Sequence, residues 1–531
     1  VSNSHDHGWK CCDRRNGGRT SPLWSGHNQS WHWTWLCLYH SQENRLQSLV
    51  GDDRAGHHQK YLNVAVLINL SAHFSHSPPL QYAQVLLLPA RFGIADDMRL
   101  VVILTLLTQC LGIADGMKEL RKLGVYLSVS SVSSLFTYGQ FEVNWYGIPA
   151  EYFGKTYVSL MRKSASEWKR LDMWPVTKAD GKNITNVDAP VFDLDVLMKG
   201  GCLGYAAGLL RRLGNQYGIL LSSCFSARPR WMRGYCSEFS RLRLRDMLIP
   251  GTHNSGMYNL GYAHPHEKLY LYNQDQTIRQ QLAYGIRGFD LRVQYYYGQF
   301  YVTHDTVRGW ITIREVLQDV RWFVDVTGEV VLLDFHRFTS GFGETNENER
   351  HFELWKLIVE ELKDLLLENA AWWKPVGDIF GDCANGEVRN GRIMVFYNHG
   401  FSSPAYDKYL AVPVKQMWPN AYHPDVLKTY LEIEACVPQS SQMIGIMAEL
   451  TASFPNFILG NRVGAEWVNY MVTEFFRRNY DRCRGIIYTD FFLGSGVIEV
   501  AVEANFVIAC RSGGLKSKDC KYYLNKNLIP K

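Results

Sequence analysis

Apolar and polar positions follow two different periods in the second half of the chain. From Arg241 onward, short apolar runs of strand length alternate with segments, such as 312–324 and 348–367, in which apolar residues recur every three or four positions. The first pattern is typical of buried strands and the second of amphipathic helices. Their alternation predicts an α/β fold with parallel strands, whose commonest form near this length is a (β/α)8, TIM-barrel-like domain. We predict this domain over residues 237–508.

The segment before the predicted barrel has a strand pattern. Between about Gly124 and Pro229, runs such as VYLSVSSVSSLF and QFEVNWYGI are β-branched or aromatic, and clusters of Gly, Asn, Asp and Pro separate them. This spacing predicts a small all-β, sandwich-like domain, which we place at residues 115–236. No group of residues with recognisable chemistry lies in these runs, so we expect a structural role for the domain.

The two ends of the chain lack the pattern of a domain. Residues 1–97 are rich in His, Trp, Ser and Gln, and neither the helical nor the strand period persists over a useful length. We interpret them as a leader that is not translated, in preference to a functional extension. We assign residues 509–531 to a C-terminal tail.

A signal peptide is predicted at residues 98–114. One arginine follows Met98, an apolar run extends from Leu100 to Leu107, and small residues come next. This order is typical of a secretory signal, and the run is too short to span a bilayer. Two interpretations of its internal position stay open, a true start at Met98 or a buried element. No other stretch reaches the roughly twenty continuous apolar residues of a membrane span.

Composition and net charge indicate which binding partners to expect. The net charge of +5 is small for 531 residues, and no basic block stands out, so nucleic-acid binding is not expected. The charge is compatible with weak attraction to anionic lipid. Tyr and Trp are abundant, at 30 and 16 residues, and some of these rings are suited to a lipid interface. The sequence does not predict an oligomeric state.

Cysteines and one tripeptide favour a secreted protein. Eight of the 12 cysteines follow the predicted cleavage point, and an even number fits disulfides, although both their connectivity and the alternative of free buried thiols stay open. Asn183-Ile184-Thr185 is an acceptor for N-glycosylation in the secretory pathway. We therefore expect an extracellular location.

The stretch from Leu244 to Asp305 carries the candidate chemistry. His253 and His304 each follow an apolar run of strand length, and Asp290 and Arg292 lie two apart between them, on one face of a predicted strand. Two imidazoles can transfer protons to and from phosphate esters, and a guanidinium can bind the phosphoryl oxygens by paired hydrogen bonds. These residue types are what a metal-independent phosphodiesterase needs.

Further polar residues follow other predicted strands. His336, Glu449 and Asp490 lie at or just past the C-terminal ends of such runs, the end that carries the chemistry in barrels of this kind. We expect Asp490 to orient His253 and stabilise its imidazolium. Asp334 and His336 share a strand face and are expected to line the barrel, with His336 contacting phosphate.

Four motifs resemble the X domain of phosphatidylinositol-specific phospholipase C. IPGTHNSG, GIRGFDLR, THD and VVLLDFHRF come in that family's order and spacing, and weaker similarity continues to about Asn505. The likeness is greatest to the secreted animal proteins that contain only this domain. The resemblance implies the same barrel fold, a phospholipid substrate at a membrane surface, and phosphodiester cleavage without a cofactor.

The resemblance also implies residue roles. His253 is similar to the general base, His304 to the general acid, and Arg292 to the arginine that replaces calcium in the bacterial enzymes, so no metal is expected. The bacterial pattern has Asp where this chain has Asn254, which weakens the acid relay; Asp290 or Asp305 are candidates to compensate. We assign Asn254, with His336 and Glu449, to substrate binding.

Three functions stay open at this point. The first is cleavage of phosphatidylinositol or a related glycerophospholipid. The second is a catalytically silent protein that binds lipid headgroups on the same barrel, which Asn254 makes conceivable. The third, a magnesium-dependent phosphodiesterase, needs a cluster of carboxylate ligands, and Arg292 puts a positive charge among them.

Processing can be tested directly. Expression from Met98 in a secretory host should release protein whose N-terminus lies between Leu111 and Met117, with oxidised cysteines, because the apolar run is a signal core. N-terminal sequencing of the secreted protein is the measurement. Cytosolic retention with an intact N-terminus would contradict the extracellular assignment.

Overall fold

The computed structural model describes residues 123–520, except 135–136, 259–269, 344, 382, 384–391, 401, 437–440, 452–459, 481 and 514–519. The predicted leader and signal peptide lie outside the described residues, as do residues 521–531 of the predicted tail.

The described residues form sixteen strands and ten α-helices. The strands are β1 (Gly124–Val129), β2 (Gln140–Tyr146), β3 (Thr156–Ser164), β4 (Glu167–Pro175), β5 (Gly181–Asp188), β6 (Gly201–Leu213), β7 (Gln216–Ala227), β8 (Leu248–Thr252), β9 (Gly288–Tyr296), β10 (Gln299–His304), β11 (Val307–Thr312), β12 (Val331–Phe338), β13 (Ile393–Tyr397), β14 (Lys415–Met417), β15 (Ile444–Met447) and β16 (Gly485–Thr489). The helices are α1 (Leu194–Lys199), α2 (Trp231–Gly234), α3 (Cys236–Phe239), α4 (Ile278–Tyr284), α5 (Ile313–Thr327), α6 (Glu347–Leu362), α7 (Val376–Phe380), α8 (Pro424–Tyr430), α9 (Gly460–Asn479) and α10 (Val497–Arg511).

The first seven strands form two antiparallel sheets. One has the order β1-β2-β5 and the other β4-β3-β6-β7. Apolar side chains from both sheets pack together, and the rings of Phe141 and Phe225 meet edge to face with centroids 5.4 Å apart. Five of the seven strands lie on strand-like runs of the sequence, while β4 and β5, which are rich in polar residues, were not predicted.

Seven strands of the α/β part run parallel. The neighbours are β14-β15-β16-β8-β9-β12-β13, and helices connect most successive strands. A parallel bridge between Phe396 and Ala411 joins β13 to the segment that leads into β14. The predicted α/β class is therefore confirmed. The carboxyl ends of parallel strands lie at one edge of the sheet, which is where the candidate residues follow their strands.

One predicted parallel strand is wrong. The run GQFYVTH forms β10, which pairs antiparallel with β9 and with β11. Tyr297 and Gly298 make the connection, with φ of 43° and 80°. A two-residue turn with both φ values positive returns the chain beside the strand it leaves, so only an antiparallel hairpin can form. His304 therefore reaches its position from a hairpin attached to β9.

Two motif glycines allow close packing between strands. Gly251 of β8 pairs with Gly288 of β9, and the Ile486 side chain of β16 lies against both. A Cβ atom at position 288 would lie 2.4 Å from Cγ2 of Ile486. Only glycine leaves that space, which is why the motifs IPGTHNSG and GIRGFDLR contain it here.

All eight cysteines after the predicted cleavage point are paired, as expected. The disulfides are Cys202–Cys224, Cys236–Cys383, Cys436–Cys483 and Cys510–Cys520. Within the described ranges, no helix has the length and apolar character needed to cross a membrane.

A buried ion pair connects the chain before β8 to the α/β part. Arg287 and Glu329 are fully buried, with a nitrogen–oxygen distance of 2.8 Å. The Glu329 carboxylate also accepts hydrogen bonds from the backbone N–H groups of Met232 and Arg233, and Arg287 donates to the carbonyl of Pro229. The pair thus holds the segment that precedes β8 against the starts of β9 and β12.

Glu329→Gln should lower the free energy of unfolding by about 3–5 kcal/mol, because it leaves the Arg287 charge buried without its counter-charge. Urea denaturation with the disulfides intact is the measurement. The matched control is Glu368→Gln, which removes the exposed partner of Lys374 at 3.4 Å and should cost less than about 1 kcal/mol. Equal effects of the two substitutions would contradict the structural role of the buried pair.

Candidate active site

His253 and Asp490 follow the ends of adjacent parallel strands. Thr252 of β8 pairs with Thr489 of β16, so the next residue of each strand lies beside the other. Nδ1 of His253 is 2.8 Å from Oδ1 of Asp490, and both side chains are buried. The predicted contact between them is therefore present, although the residues are far apart in sequence.

Arg292 contacts the other nitrogen of the same ring. The guanidinium nitrogen Nη2 of Arg292 lies 2.6 Å from Nε2 of His253. Arginine can only donate, so in the neutral form of His253 the Nε2 atom accepts this hydrogen bond and the ring proton is on Nδ1, where it is donated to Asp490. That neutral form has its lone pair on Nε2, which is the tautomer that a general base requires.

The charges around His253 favour its protonated form. Burial is the largest influence on the pKa of His253 and lowers it, as does the repulsion of Arg292. The charges of Asp490 and Glu449, together with the hydrogen bond to Asp490, outweigh both, and the pKa is raised. An imidazolium formed by proton uptake would therefore be stabilised by Asp490.

Asp290 balances the charge of Arg292. Its Oδ2 accepts hydrogen bonds from Arg292 at 3.2 Å and from the backbone N–H of Asn254 at 3.1 Å. Burial would raise the pKa of Asp290, but the positive charges of Arg292, His336 and His253 outweigh it and lower the pKa to about 2. Asp290 is therefore ionised at neutral pH, and it lies on the same face of β9 as Arg292, as predicted.

His304 lies at the end of β10, close enough to be affected by the charges of the site. Its Nδ1 donates to the backbone carbonyl of Leu271 at 3.0 Å. Burial lowers the pKa of His304, and the repulsion of His253 and Arg292 lowers it further. A protonated His304 would therefore release its proton readily.

His336 and Glu449 complete the group. Burial lowers the pKa of His336 to about 4, and burial raises the pKa of Glu449 to about 7. Buried polar atoms of five side chains around His253 have no hydrogen-bond partner among the residues that the structure describes: Asn254 Oδ1, Asp290 Oδ1, Arg292 Nε, His336 Nδ1 and Glu449 Oε1. Buried polar atoms are rarely left in this state, so their clustering indicates a place for a polar ligand.

Asn254 belongs to a network of amides that the sequence did not predict. Its side chain donates to Asn273 at 3.2 Å, and the Asn273 amide donates to Asp490 at 3.0 Å. Gln274 donates to the carbonyls of His253 and Thr489. The adjacent amides of Asn273 and Gln274, just before the helix cap at Thr277, were the available signal.

Asp334 and Asp305 do not contact His253. Asp334 accepts hydrogen bonds from Tyr488 and Gln416, and burial together with the nearby Asp290 raises its pKa well above the usual range. Asp305 is exposed and forms an ion pair with Arg337 at 3.1 Å. Of the two carboxylates expected to compensate for Asn254, Asp290 contacts Arg292 and Asn254, whereas Asp305 acts on His304 through its charge, which raises the pKa of that ring.

Three of these residues have the donor types of a metal site. His253, Glu449 and Asp490 each offer one ligand atom, all within 4.8 Å of one another. A cation there would have to break the His253–Asp490 hydrogen bond, and it would meet the guanidinium of Arg292 at once. The fixed positive charge of Arg292 therefore disfavours a divalent ion in this arrangement.

The chain has sequence similarity to a curated protein. No family model matches the chain. A PI-PLC X-box domain-containing protein from Dictyostelium discoideum is 26% identical over 179 residues, 31% of this chain and 23% of that protein. The match therefore spans under a quarter of the relative. The resemblance to the X domain of phosphatidylinositol-specific phospholipase C is confirmed by this homologue.

Two solved structures are also similar. A phosphatidylinositol-specific phospholipase C from Staphylococcus aureus has 16% identity and a TM-score of 0.41, covering 52% of this chain and 96% of its own. The enzyme of the same name from Listeria monocytogenes has 17% identity and a TM-score of 0.39, covering 52% and 98%.

Asp490→Asn should lower the pKa of His253, because Asp490 is the largest of the charges that raise it. The measurement is an NMR titration of the imidazole nitrogens. Asp305→Asn is the control, since that exposed carboxylate is not among the groups that raise the pKa of His253. An unchanged titration of His253 in Asp490→Asn would show that the carboxylate does not stabilise the imidazolium.

Proposed function

We propose that the protein is a phosphoric diester hydrolase that cleaves phosphatidylinositol or a related glycerophospholipid in the manner of a phospholipase C. The observation that carries the proposal is the arrangement of His253, whose Nδ1 is bound by Asp490 while its Nε2 lies against Arg292. This arrangement prepares one nitrogen to take a proton and places a phosphate-binding group beside it. The confirmed homologue points to the same reaction class.

His253 acts as the base in the proposed reaction. Its Nε2 takes the proton of the inositol 2-hydroxyl, and the freed oxygen attacks phosphorus. The phosphorus–oxygen bond to diacylglycerol breaks, and protonated His304 gives its proton to the leaving oxygen. The products are diacylglycerol and a cyclic inositol phosphate, which the same two histidines can hydrolyse with water.

Arg292 takes the place of a metal ion in this mechanism. On substrate binding its guanidinium transfers its hydrogen bond from His253 Nε2 to the phosphoryl oxygens, where negative charge develops. Asp290 fixes the guanidinium at 3.2 Å and balances its charge between turnovers. We therefore propose that the reaction needs no cofactor.

The buried polar atoms without partners suit a hydroxyl-rich headgroup. His336 Nδ1 and Glu449 Oε1 can each form a hydrogen bond with a ring hydroxyl, and we assign both residues to substrate binding. We also assign Asn254 Oδ1 to substrate binding, because it has no hydrogen-bond partner among the described residues. The side-chain nitrogen of Asn254 donates to Asn273, which in turn donates to Asp490. The phosphate of the substrate supplies a negative charge, which pairs with the guanidinium of Arg292 in the proposed complex.

The second candidate is a protein that binds lipid headgroups without cleaving them. The observation that favours it is Asn254, because an amide supplies no negative charge to assist His304 as an acid. Against it stands the contact of His253 with Asp490, which binding alone does not require. Binding of phosphatidylinositol vesicles without release of a phosphate product would decide for this candidate.

We infer that residues 115–236, which include the two antiparallel sheets, form one domain and that residues 237–508 form a (β/α)8-type barrel that meets the lipid surface. The four disulfides favour an oxidising compartment, and we propose secretion through the segment 98–114. Asn183, the candidate glycosylation site, lies on β5.

His253→Ala and His304→Ala should each reduce turnover of phosphatidylinositol by about a hundredfold to ten-thousandfold, because both proton carriers act in one step. The measurement is release of diacylglycerol under single-turnover conditions, with circular dichroism to verify folding. His423→Ala, which changes an exposed histidine beside Asp425, is the control and should keep full activity. Near-normal turnover in either site variant would refute the two-histidine mechanism.

Activity should survive excess chelator and show no calcium titration, because Arg292 neutralises the phosphoryl oxygens. Arg292→Lys keeps the charge but loses the planar pair of donors, so it should still lose much of the rate. The measurement is turnover of phosphatidylinositol in chelator against turnover in millimolar calcium. Complete loss in chelator, restored by calcium, would contradict the metal-independent mechanism.

A further inference from the structure

The hairpin of β9 and β10, with β11 beside it, extends beyond the edge of the parallel sheet. The parallel pairing of β9 with β12 ends at Val293, whereas β9 continues to Tyr296 in its pairing with β10. Arg292 contacts His253 in the candidate site, and Tyr296 lies farther along the same strand by about 13 Å, at the rise of an extended chain. The tip of the hairpin therefore projects past the carboxyl edge of the sheet, where the candidate active site lies.

The two sides of the hairpin have different surroundings. On one side, the rings of Tyr295 and Phe300 have centroids 5.1 Å apart, and the ring of Phe342 lies 6.0 Å from that of Phe300. Successive residues of a strand point to opposite sides, so Tyr296 shares the other side of β9 with Arg292. The first side is covered by protein. The second continues the face of β9 that carries the chemistry of the candidate site.

Large side chains are exposed on this second side. Tyr296 is 43% exposed, Tyr297 at the tip is 87% exposed, and Trp310 of β11 is 65% exposed. Arg308, two residues before Trp310 on β11, lies over the rings of Tyr296 and Tyr301, with its guanidinium carbon 4.0 and 5.2 Å from the ring centroids. We call these five residues the aromatic face of the hairpin.

Tyr297 occupies a turn position that does not favour its side chain. The turn has positive φ at both Tyr297 and Gly298, and the residues preferred at its first position are Asn, Asp and Gly, which tolerate positive φ. The ring of Tyr297 contacts that of Tyr296 edge to face, with centroids 4.3 Å apart, yet Tyr297 stays almost fully exposed. Neither the turn nor packing within the described part of the chain accounts for a tyrosine here, which indicates a partner outside the chain.

The chemistry of the aromatic face fits the headgroup region of a phospholipid bilayer. Tyr and Trp have amphipathic rings that favour the boundary between lipid and water. No carboxylate forms an ion pair with Arg308 within the part of the chain that the structure describes, so its N–H groups can donate to a lipid phosphate. The guanidinium already covers a face of the Tyr296 ring, which disfavours the ammonium group of choline there. The positive charge of Arg308 therefore favours anionic lipid.

We propose that the aromatic face of the hairpin binds the surface of a bilayer that contains anionic phospholipid. The inference rests on the proposed function for the class of partner, because a phospholipid substrate has to be reached in a bilayer. The same hairpin carries Arg292 on β9 and His304 on β10. Contact of its aromatic face with the surface therefore holds both residues at a fixed distance from the lipid headgroups.

Centrifugation with vesicles measures this binding. The parent protein carries His253→Ala, so that lipid is not consumed, and the vesicles contain phosphatidylcholine with or without phosphatidylserine. Tyr297→Ala and Trp310→Ala should each weaken binding about fivefold, because each removes an exposed ring from the interface. Arg308→Glu should weaken binding about tenfold on vesicles with phosphatidylserine and much less on phosphatidylcholine alone. High salt should remove most of the effect of Arg308→Glu, because it screens exposed charges.

Two matched controls change similar side chains elsewhere. Trp373 is 43% exposed and has Arg245 over its ring at 3.7 Å, but it precedes β13 and so lies toward the amino ends of the parallel strands. Arg170 of β4 lies over the ring of Tyr217 at 4.8 Å. Trp373→Ala and Arg170→Glu should bind vesicles as the parent does. All the changed residues are exposed, so the variants should fold, and circular dichroism verifies this.

Weaker binding in the hairpin variants, with both controls unchanged, supports the proposal. An equal loss in Trp373→Ala or Arg170→Glu would place the lipid contact on another surface, and a parent protein that binds neither kind of vesicle would exclude a bilayer as the partner. Either result overturns the proposal.

Turnover of phosphatidylinositol by the protein with native His253 is a separate measurement. If turnover is absent while vesicle binding still depends on the hairpin, the proposed reaction fails and the inference stands. If turnover is present while the hairpin variants bind vesicles normally, the inference fails and the proposed reaction stands.

Discussion

The parallel pairing of β16 with β8 is the constraint on which the candidate site depends. It places the last strand of the sheet beside the first, in a register that sets Thr489 opposite Thr252. The backbone N–H of His253 donates to the carbonyl of Thr489 at 3.1 Å, which extends the pairing by one residue. The hydrogen bond between His253 and Asp490 is a consequence of this backbone register. The relative position of the two side chains therefore depends on the pairing of these two strands.

Two neighbouring carboxyl groups of the sheet have pKa values shifted in opposite directions. Asp334 of β12 pairs directly with Asp290 of β9, and both are fully buried. Asp290 has the guanidinium of Arg292 as a partner and keeps its charge, whereas Asp334 has neutral hydrogen-bond donors and the repulsion of Asp290, which raises its pKa. Environments that push the pKa values of two carboxyl groups apart in this way are typical of functional sites, but buried structural networks produce them too.

Much of the site could be predicted because its residues follow strand ends. His253, Glu449 and Asp490 come directly after short apolar runs. Parallel strands end at one edge of a sheet, so the order of runs along the chain is enough to bring these three residues together. The position of His304 depended instead on a hairpin turn at Tyr297 and Gly298, which the apolar pattern does not reveal.

The parts that were missed lack an apolar period. In β4 and β5, the sequences EWKRLDMWP and GKNITNVD are mostly polar, because long stretches of both strands are exposed or half-buried. Such strands are held by pairing with a neighbour, which one sequence does not show. Asn273 and Gln274 were missed for a related reason. Their amides form hydrogen bonds to residues over two hundred positions away, and the only local signal is that the two amides are adjacent, just before a helix cap.

Product analysis by ³¹P NMR tests the central claim most directly. Purified protein would be incubated with phosphatidylinositol vesicles in the presence of chelator, with His253→Ala as the inactive reference. The proposed mechanism predicts a new resonance of a five-membered cyclic inositol phosphate, together with an equal amount of diacylglycerol. Phosphatidic acid as the product, or vesicle binding with no phosphorus resonance other than that of the lipid, would contradict it.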